Sequence, residues 1–150
     1  MSLSYQNTQV QTIIGTKNSS NTRTSWTLSS SYQTETGTNP TKSFFVGGLS
    51  KLNLDILYTM GATETSNSIE VKIEVSPDNT NWYRIPNEII SNGTSTLTAR
   101  EFTFVGADAS TATISIGLDI FYKYVRVSCK ETGVATNAGK VYVEATILGR

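Results

Sequence analysis

The sequence predicts an all-β chain, folded as one antiparallel β-sandwich of jelly-roll type with a polar N-terminal arm. Three observations carry the prediction. Residues Ile69, Val71, Ile73 and Val75 alternate with Glu70, Lys72 and Glu74, which suits a strand buried on one face and not a helix. The same two-residue period returns near the C-terminus, where Val125, Val127 and Cys129 oppose Tyr124, Arg126 and Lys130, and Val141, Val143, Ala145 and Ile147 oppose Tyr142, Glu144 and Thr146. Between these segments, turn signals recur about every 8 to 15 residues, the spacing of a two-sheet sandwich rather than a βαβ fold.

The elements follow in order. Residues 1–42 are dominated by Ser, Thr, Asn and Gln, with Glu35 the only acid, and are predicted to form a polar arm with an edge strand, ahead of a sandwich domain at 43–150. Within the arm, Val10, Ile13 and Ile14 make a short strand, and Trp26, Leu28, Ser30 and Tyr32 share one face of an alternating segment. Ser43 to Gly47 leads into Lys51 to Met60, where Leu52, Leu54, Ile56 and Tyr58 face one way and Asn53 and Asp55 the other. Gly61 to Ser68 is a polar connector before the alternating strand at 69–75, and Asn81 to Pro86 is its return strand. Asn92-Gly93 marks a reversal, Leu97 to Val105 the next strand, and Thr113 to Gly117 a short one. Ser110 to Leu118 is the one stretch with a weak helical pattern, and its β-branched residues argue against a helix. Glu131 to Lys140 is longer than a tight hairpin needs, so its tip is a candidate contact surface.

Composition narrows the function classes. Apolar residues make up 37% and charged residues 16%, both below ordinary usage, so the surface is polar without being ionic. Twelve basic and twelve acidic residues cancel, leaving no electrostatic footprint for nucleic acid or anionic lipid. The near-neutral surface also does little to hold copies of the chain apart. Histidine is absent, which removes the commonest general base and metal ligand; no catalytic, cofactor or metal residues are assigned. The lone Cys129 makes no internal disulfide and reads as a small core residue. No apolar run approaches a membrane span and the first residues lack a signal pattern, so a soluble protein made in a cytoplasm is expected.

Local motifs point to structure rather than chemistry. Ser76-Pro77-Asp78-Asn79-Thr80-Asn81-Trp82 has the makings of a self-bonded turn, with Pro77 presetting a corner, Asp78 bonding backbone amides and Trp82 returning to the core. A cation held by Asp78, Asn79 and Asn81 is the competing reading, although hard cations take more oxygens and charge than these supply. Glu70 and Glu74 are about 13 Å apart along their strand, beyond the ~10 Å limit for paired glycosidase carboxylates. Lys72 between them makes the face a solvated charged one. Trp26, Trp82 and the tyrosines could stack sugars or fill the core; Tyr58, Trp82 and Phe102 read as internal, while Tyr124 and Tyr142 project away from the core and read as partner contacts.

Val71 to Tyr83 (VKIEVSPDNTNWY), Tyr122 to Val127 (YKYVRV) and Gly139 to Ala145 (GKVYVEA) together resemble small β-sandwich virion proteins of tailed bacteriophages, the head-decoration and related accessory proteins. The resemblance spans residues 44–148 and carries over no site residue. It implies a jelly-roll-like, non-enzymatic subunit without cofactors, located in the virion. It also implies homo-oligomers, trimers by preference, seated on the major capsid or other virion proteins. The contact residues expected are Tyr124, Tyr142, Val134 and Asn137, with the arm beside them. Two alternatives share the pattern: a carbohydrate-binding module of a receptor-binding or tail structure, and a neck or tail completion protein.

Overall fold

The computed structural model describes residues 8–33, 42–47, 50–85, 87–91, 94–98, 100–105 and 111–148, with the backbone alone for residues 50, 87–91, 94–98 and 100–105. The described residues form strands and turns without a helix. In chain order the strands are β1 (Thr8–Ile14), β2 (Thr16–Lys17), β3 (Arg23–Thr24), β4 (Trp26–Thr27), β5 (Ser43–Phe45), β6 (Ser50–Thr59) and β7 (Ser66–Ser76). They continue as β8 (Tyr83–Arg84), β9 (Asn87–Ser91), β10 (Thr94–Thr98), β11 (Arg100–Val105), β12 (Thr111–Ile120), β13 (Tyr124–Thr132) and β14 (Lys140–Leu148).

Two antiparallel sheets make the sandwich. The first runs β1-β14-β6-β12, with β4 continuing the β1 edge along β14; the second runs β5-β13-β7-β11, with β8 beside β11 on the same edge of β7. The eight principal strands nest, β1 with β14, β5 with β13, β6 with β12 and β7 with β11, every pair antiparallel. That order is the jelly roll. Two small hairpins, β2–β3 and β9–β10, stand outside the main sheets. In the β9–β10 hairpin Ser91 pairs with Thr94; Asn92-Gly93, where a reversal is expected, lies outside the described residues.

The period of two decides which side chains meet. Leu52, Leu54, Ile56 and Tyr58 of β6 and Val141, Val143, Ala145 and Ile147 of β14 face Ile69, Val71, Ile73 and Val75 of β7 and Val125, Val127 and Cys129 of β13 in one continuous core. Each fully buried aliphatic side chain contributes on the order of 1.5 to 3 kcal/mol, so the regular alternation drives the two sheets together. Ile13, Ile14 and Leu28 enter the same core from the N-terminal side of residue 42. A bulge between Thr12 and Ile14 turns both isoleucines inward. Within the expected arm, β1 and β4 pair with β14 in the first sheet of their own chain; residues 1–7 and 34–41 lie outside the described residues.

Several local expectations change in extent or course. The short strand expected at Thr113 to Gly117 is the ten-residue strand β12, held over its whole length by β6. Trp26 to Tyr32 is not one alternating strand. Trp26–Thr27 pairs with β14, Leu28 donates its amide to the Gly139 carbonyl at 2.9 Å, and the Glu131 amide donates to Ser29 O at 2.9 Å, so the segment crosses from one sheet to the edge of the other. The expected strand from Leu97 to Val105 is divided between β10 and β11, and the side chain of Phe102 lies outside the described residues.

Candidate functional site

Four surfaces carry the side chains that sequence reasoning singled out, and each is built differently. On the outer face of the first sheet, Tyr142 does project away from the core, yet it is 1% exposed. The hairpin β2–β3 folds over it. Gly15, at φ +92°, permits the fold-back: a Cβ there would stand 2.5 Å from Thr24 O and 2.7 Å from Tyr142 Cδ2. Tyr142 shares a 3.0 Å hydrogen bond with Thr12, and the Arg23 guanidinium lies 5.3 Å from its ring centre. Beside it, Glu144 sits across from Asp55 in the β14–β6 register, and Lys17 and Arg23 reach Glu144 at 2.9 Å each. The Lys17 hydrogen bond holds the Glu144 carboxyl below its ordinary pKa against the opposing effect of burial. Tyr142 is thus an internal anchor for the hairpin and not an exposed contact, which corrects the reading from its strand alone.

The outer face of the second sheet is charged, as the alternation requires, but it is covered and paired. Arg126 Nε donates to Glu74 at 2.7 Å, Lys130 pairs with Glu70 at 2.9 Å, and Lys72 lies 3.5 Å from Glu74. Tyr32 lies over this ladder, donating its hydroxyl to Glu70 at 2.6 Å, with the Lys72 and Lys130 ammonium groups 4.8 and 5.0 Å from its ring centre. Burial alone would raise both Glu70 and Glu74; hydrogen bonds from Tyr32 and Lys130 on the first, and from Arg126 on the second, keep both below the usual carboxylate range. Trp82 is half-buried, with the Arg126 guanidinium 4.3 Å from its ring centre. It therefore packs on this outer face, not in the core where the sequence placed it.

At the end of the sandwich where β13 leaves and β14 enters, two buried carboxylates organise residues 133–139. Glu131 accepts hydrogen bonds from the Tyr58 hydroxyl, from Asn67 Nδ2 at 2.9 Å and from the Gly139 amide at 2.7 Å. Burial and the bond to Glu131 push the Tyr58 phenol above its ordinary pKa. Glu64 accepts the consecutive backbone amides of Ala135, Thr136 and Asn137 at 2.8, 2.6 and 2.8 Å, and these lower its pKa. Asn137 also donates Nδ2 to Ala62 O at 2.8 Å, so its polar atoms serve the loop itself. Val134 is 39% exposed at the tip. A cleft of about 390 Å³ runs beside it, between Ser29-Ser30 and Thr132 to Val134. The loop that the sequence marks as a contact surface is a pinned structure whose one large exposed apolar residue is Val134.

The opposite end is open and aromatic. Phe45, Tyr83, Phe121 and Tyr122 are 58%, 54%, 70% and 39% exposed. Phe45 meets Tyr124 edge-on with ring centres 5.4 Å apart, and Tyr83 meets Tyr122 at 6.2 Å. Val46 donates its amide to the Lys123 carbonyl at 2.7 Å, tying the end of β5 to the turn that carries Phe121 and Tyr122. The Ser76 to Asn81 turn stands at the same end. Asp78 Oδ1 accepts the Thr80 and Asn81 amides at 2.9 and 2.8 Å, and Oδ2 accepts Asn81 Nδ2 at 2.7 Å. These bonds drive the Asp78 pKa far down. With both carboxylate oxygens bonded within the turn, Asp78, the one charged group of the cation reading, is committed to the turn itself. Among the described residues, no three acidic or cysteine side chains lie close enough together to hold a metal ion.

The four expected contact residues are not brought together. Tyr124 is half-buried at the aromatic end, Val134 and Asn137 lie at the other end, and Tyr142 is beneath the hairpin. The exposed aromatics Phe45, Tyr83, Phe121 and Tyr122 were not singled out. Two signals could have found three of them: Phe44-Phe45 in one strand must send one ring outward, and Phe121-Tyr122 stand between Asp119 and Lys123 where a strand ends. No protein family matches the chain in sequence, and no curated protein does.

Proposed function

We propose that the chain is a non-catalytic structural subunit of a tailed-bacteriophage particle, a capsid decoration or head-accessory protein that assembles with copies of itself and binds other virion proteins. The observation that carries this reading is the aromatic end, where four large rings are exposed while the other described aromatic rings are buried or half-buried. Clustered exposed aromatics are the usual anchors of protein interfaces, because each buries a large area with few rotatable bonds. Repeated sites on a particle would multiply a modest contact into tight attachment. The jelly-roll order fits, since capsid subunits use it, although lectins do too and a fold alone does not choose between them. Glu64, Glu70, Glu131 and Glu144 are committed to backbone amides, to hydroxyls or to ion pairs, which leaves these four little scope for acid–base work.

The test is fractionation. In cells that produce particles, the chain should sediment with them, and the combined Phe45→Ser, Tyr83→Ser, Phe121→Ser variant should be lost from that fraction while melting normally when purified. A wild-type chain that stays with small proteins would end the reading. The carbohydrate-binding alternative draws on the same Tyr83–Tyr122 pair, tilted by 31° and partly exposed. Against it, Trp26 packs on the core and Trp82 lies beside Arg126, so neither tryptophan is a free stacking surface. Glycan-array binding abolished by Tyr122→Ala would favour the alternative.

A further inference from the structure

We propose that β12 pairs with β12 of a second copy, antiparallel and centred on Ser115, joining the first sheets of two chains into one continuous sheet. This deepens the assembly reading by naming the self-contact, and it uses a surface separate from the aromatic end.

Among the described residues β12 pairs with β6 alone, through ten consecutive residue pairs with no register shift, so its other edge offers a straight row of backbone donors and acceptors. The remaining sheet edges are blunted in the ways that discourage such pairing. β1 is bulged and interrupted by the β2–β3 hairpin, β5 and β8 have three and two residues, and β11 has six and contains Arg100 and Glu101. β12 has none of these devices. It contains no Pro, Lys or Arg, and its one charge, Asp119, lies near its end, 3.8 Å from Lys51 of its own chain.

The strand is complementary to itself. A two-fold axis requires an antiparallel register that keeps inward residues opposite inward residues. Centring on Ser115 sets Ile114 against Ile116 of the second copy and Ala112 against Leu118 of the second copy. Ile114 and Leu118 pack on the core but remain partly exposed, and this contact would complete their burial. On the outer face Thr113 falls opposite Gly117 of the second copy, where open space surrounds the absent Cβ. Asp119 falls opposite Thr111 of the second copy, so no like charges meet. The shared ladder extends about 30 Å at the usual rise per residue.

A cysteine at the axis and the mass of the particle in solution test the contact. Ser115→Cys places two thiols directly opposite, where Cα atoms about 4.5 to 5.5 Å apart suit a disulfide, and the native Cys129 is buried and silent. We expect the Ser115→Cys chain to convert to a covalent dimer under mild oxidation, while Thr80→Cys on the exposed turn does not. Wild type should sediment as two chains, and Thr113→Lys with Ser115→Lys as one chain with an unchanged β-sheet circular dichroism spectrum. A wild type of one or three chains, or Ser115→Cys cross-linking no faster than Thr80→Cys, would overturn the proposal. These two readouts decide the matter even if the lysine variant fails to fold. A one-chain wild type that still sediments with particles would overturn the β12 contact alone, and a two-chain wild type that never does would overturn the virion reading while upholding this contact.

Discussion

The two ends of this sandwich are made from the same strands and finished in opposite ways. At one end Glu64 and Glu131 are buried and accept hydrogen bonds from the loop at 133–139, so an irregular segment is tied down through its backbone amides. At the other, Phe45, Tyr83, Phe121 and Tyr122 stand exposed, with Phe45 set edge-on to Tyr124 and Tyr83 beside Tyr122. The difference teaches where stability and contact are separated. Buried carboxylates in backbone amides stabilise a loop for its own sake, whereas exposed rings lower the free energy only when something covers them.

The comparison breaks most visibly at Glu131. Glu131→Leu would leave the Tyr58 hydroxyl, Asn67 Nδ2 and the Gly139 amide without their acceptor, and should cost about 4 kcal/mol in urea unfolding at neutral pH. A loss below about 1 kcal/mol would mean that the carboxylate does not hold this end. Tyr58→Phe removes one donor and leaves Glu131 its other two; unfolding stability should fall by about 1.5 kcal/mol.

Acid should act on the carboxylates next. Glu64, Glu70, Glu74 and Glu144 all have pKa values lower in the fold than their ordinary ones. The unfolded chain therefore binds protons first, so their stabilisation is complete above about pH 5 and is lost as pH falls through the lowered folded values. Stability measured from pH 7 downward should decline below that point, with the amides of residues 135–137 losing hydrogen-exchange protection ahead of β6 and β14. Early loss of β14 protection would show that the loop is not the weaker unit.

At the aromatic end the expected effect on folding is close to nil. Phe121→Ser and Tyr83→Ser should each change unfolding stability by less than about 0.5 kcal/mol, and a larger loss would mean that these rings are structural. Cys129 supplies the smallest signal. Burial pushes its thiol up to about 12, so it should stay unlabelled by a thiol reagent until the chain unfolds.

Much of the fold was legible because parity in a strand is a local property. Leu52, Leu54, Ile56 and Tyr58 share a face for the same reason that Asn53 and Asp55 share the other, and no distant contact can alter that. What parity leaves open is what lies above each face. Tyr142 points outward as its position requires, but a hairpin starting at Gly15 and bearing Lys17 and Arg23 closes over it, and nothing in β14 announces that hairpin. Trp82 follows a turn whose bonds are local and readable, yet its outer-face position depends on Arg126, forty-four residues away in the chain. The loop from Glu131 reads as long and exposed, and Glu64, inside the connector at 61–68, pins it through three backbone amides.

By itself the sequence determined the class of the fold, the identity of most core side chains and the self-bonded turn at Asp78, because these follow from period, hydrophobicity and hydrogen bonds within a few residues. Tertiary structure alone decided the nesting of strands into a jelly roll, the burial of Tyr142, the pinning of residues 133–139 and the exposure of the aromatic end. Those outcomes depend on which segments meet across the sandwich, and contacts between distant parts of a chain leave no trace in the local pattern of either one.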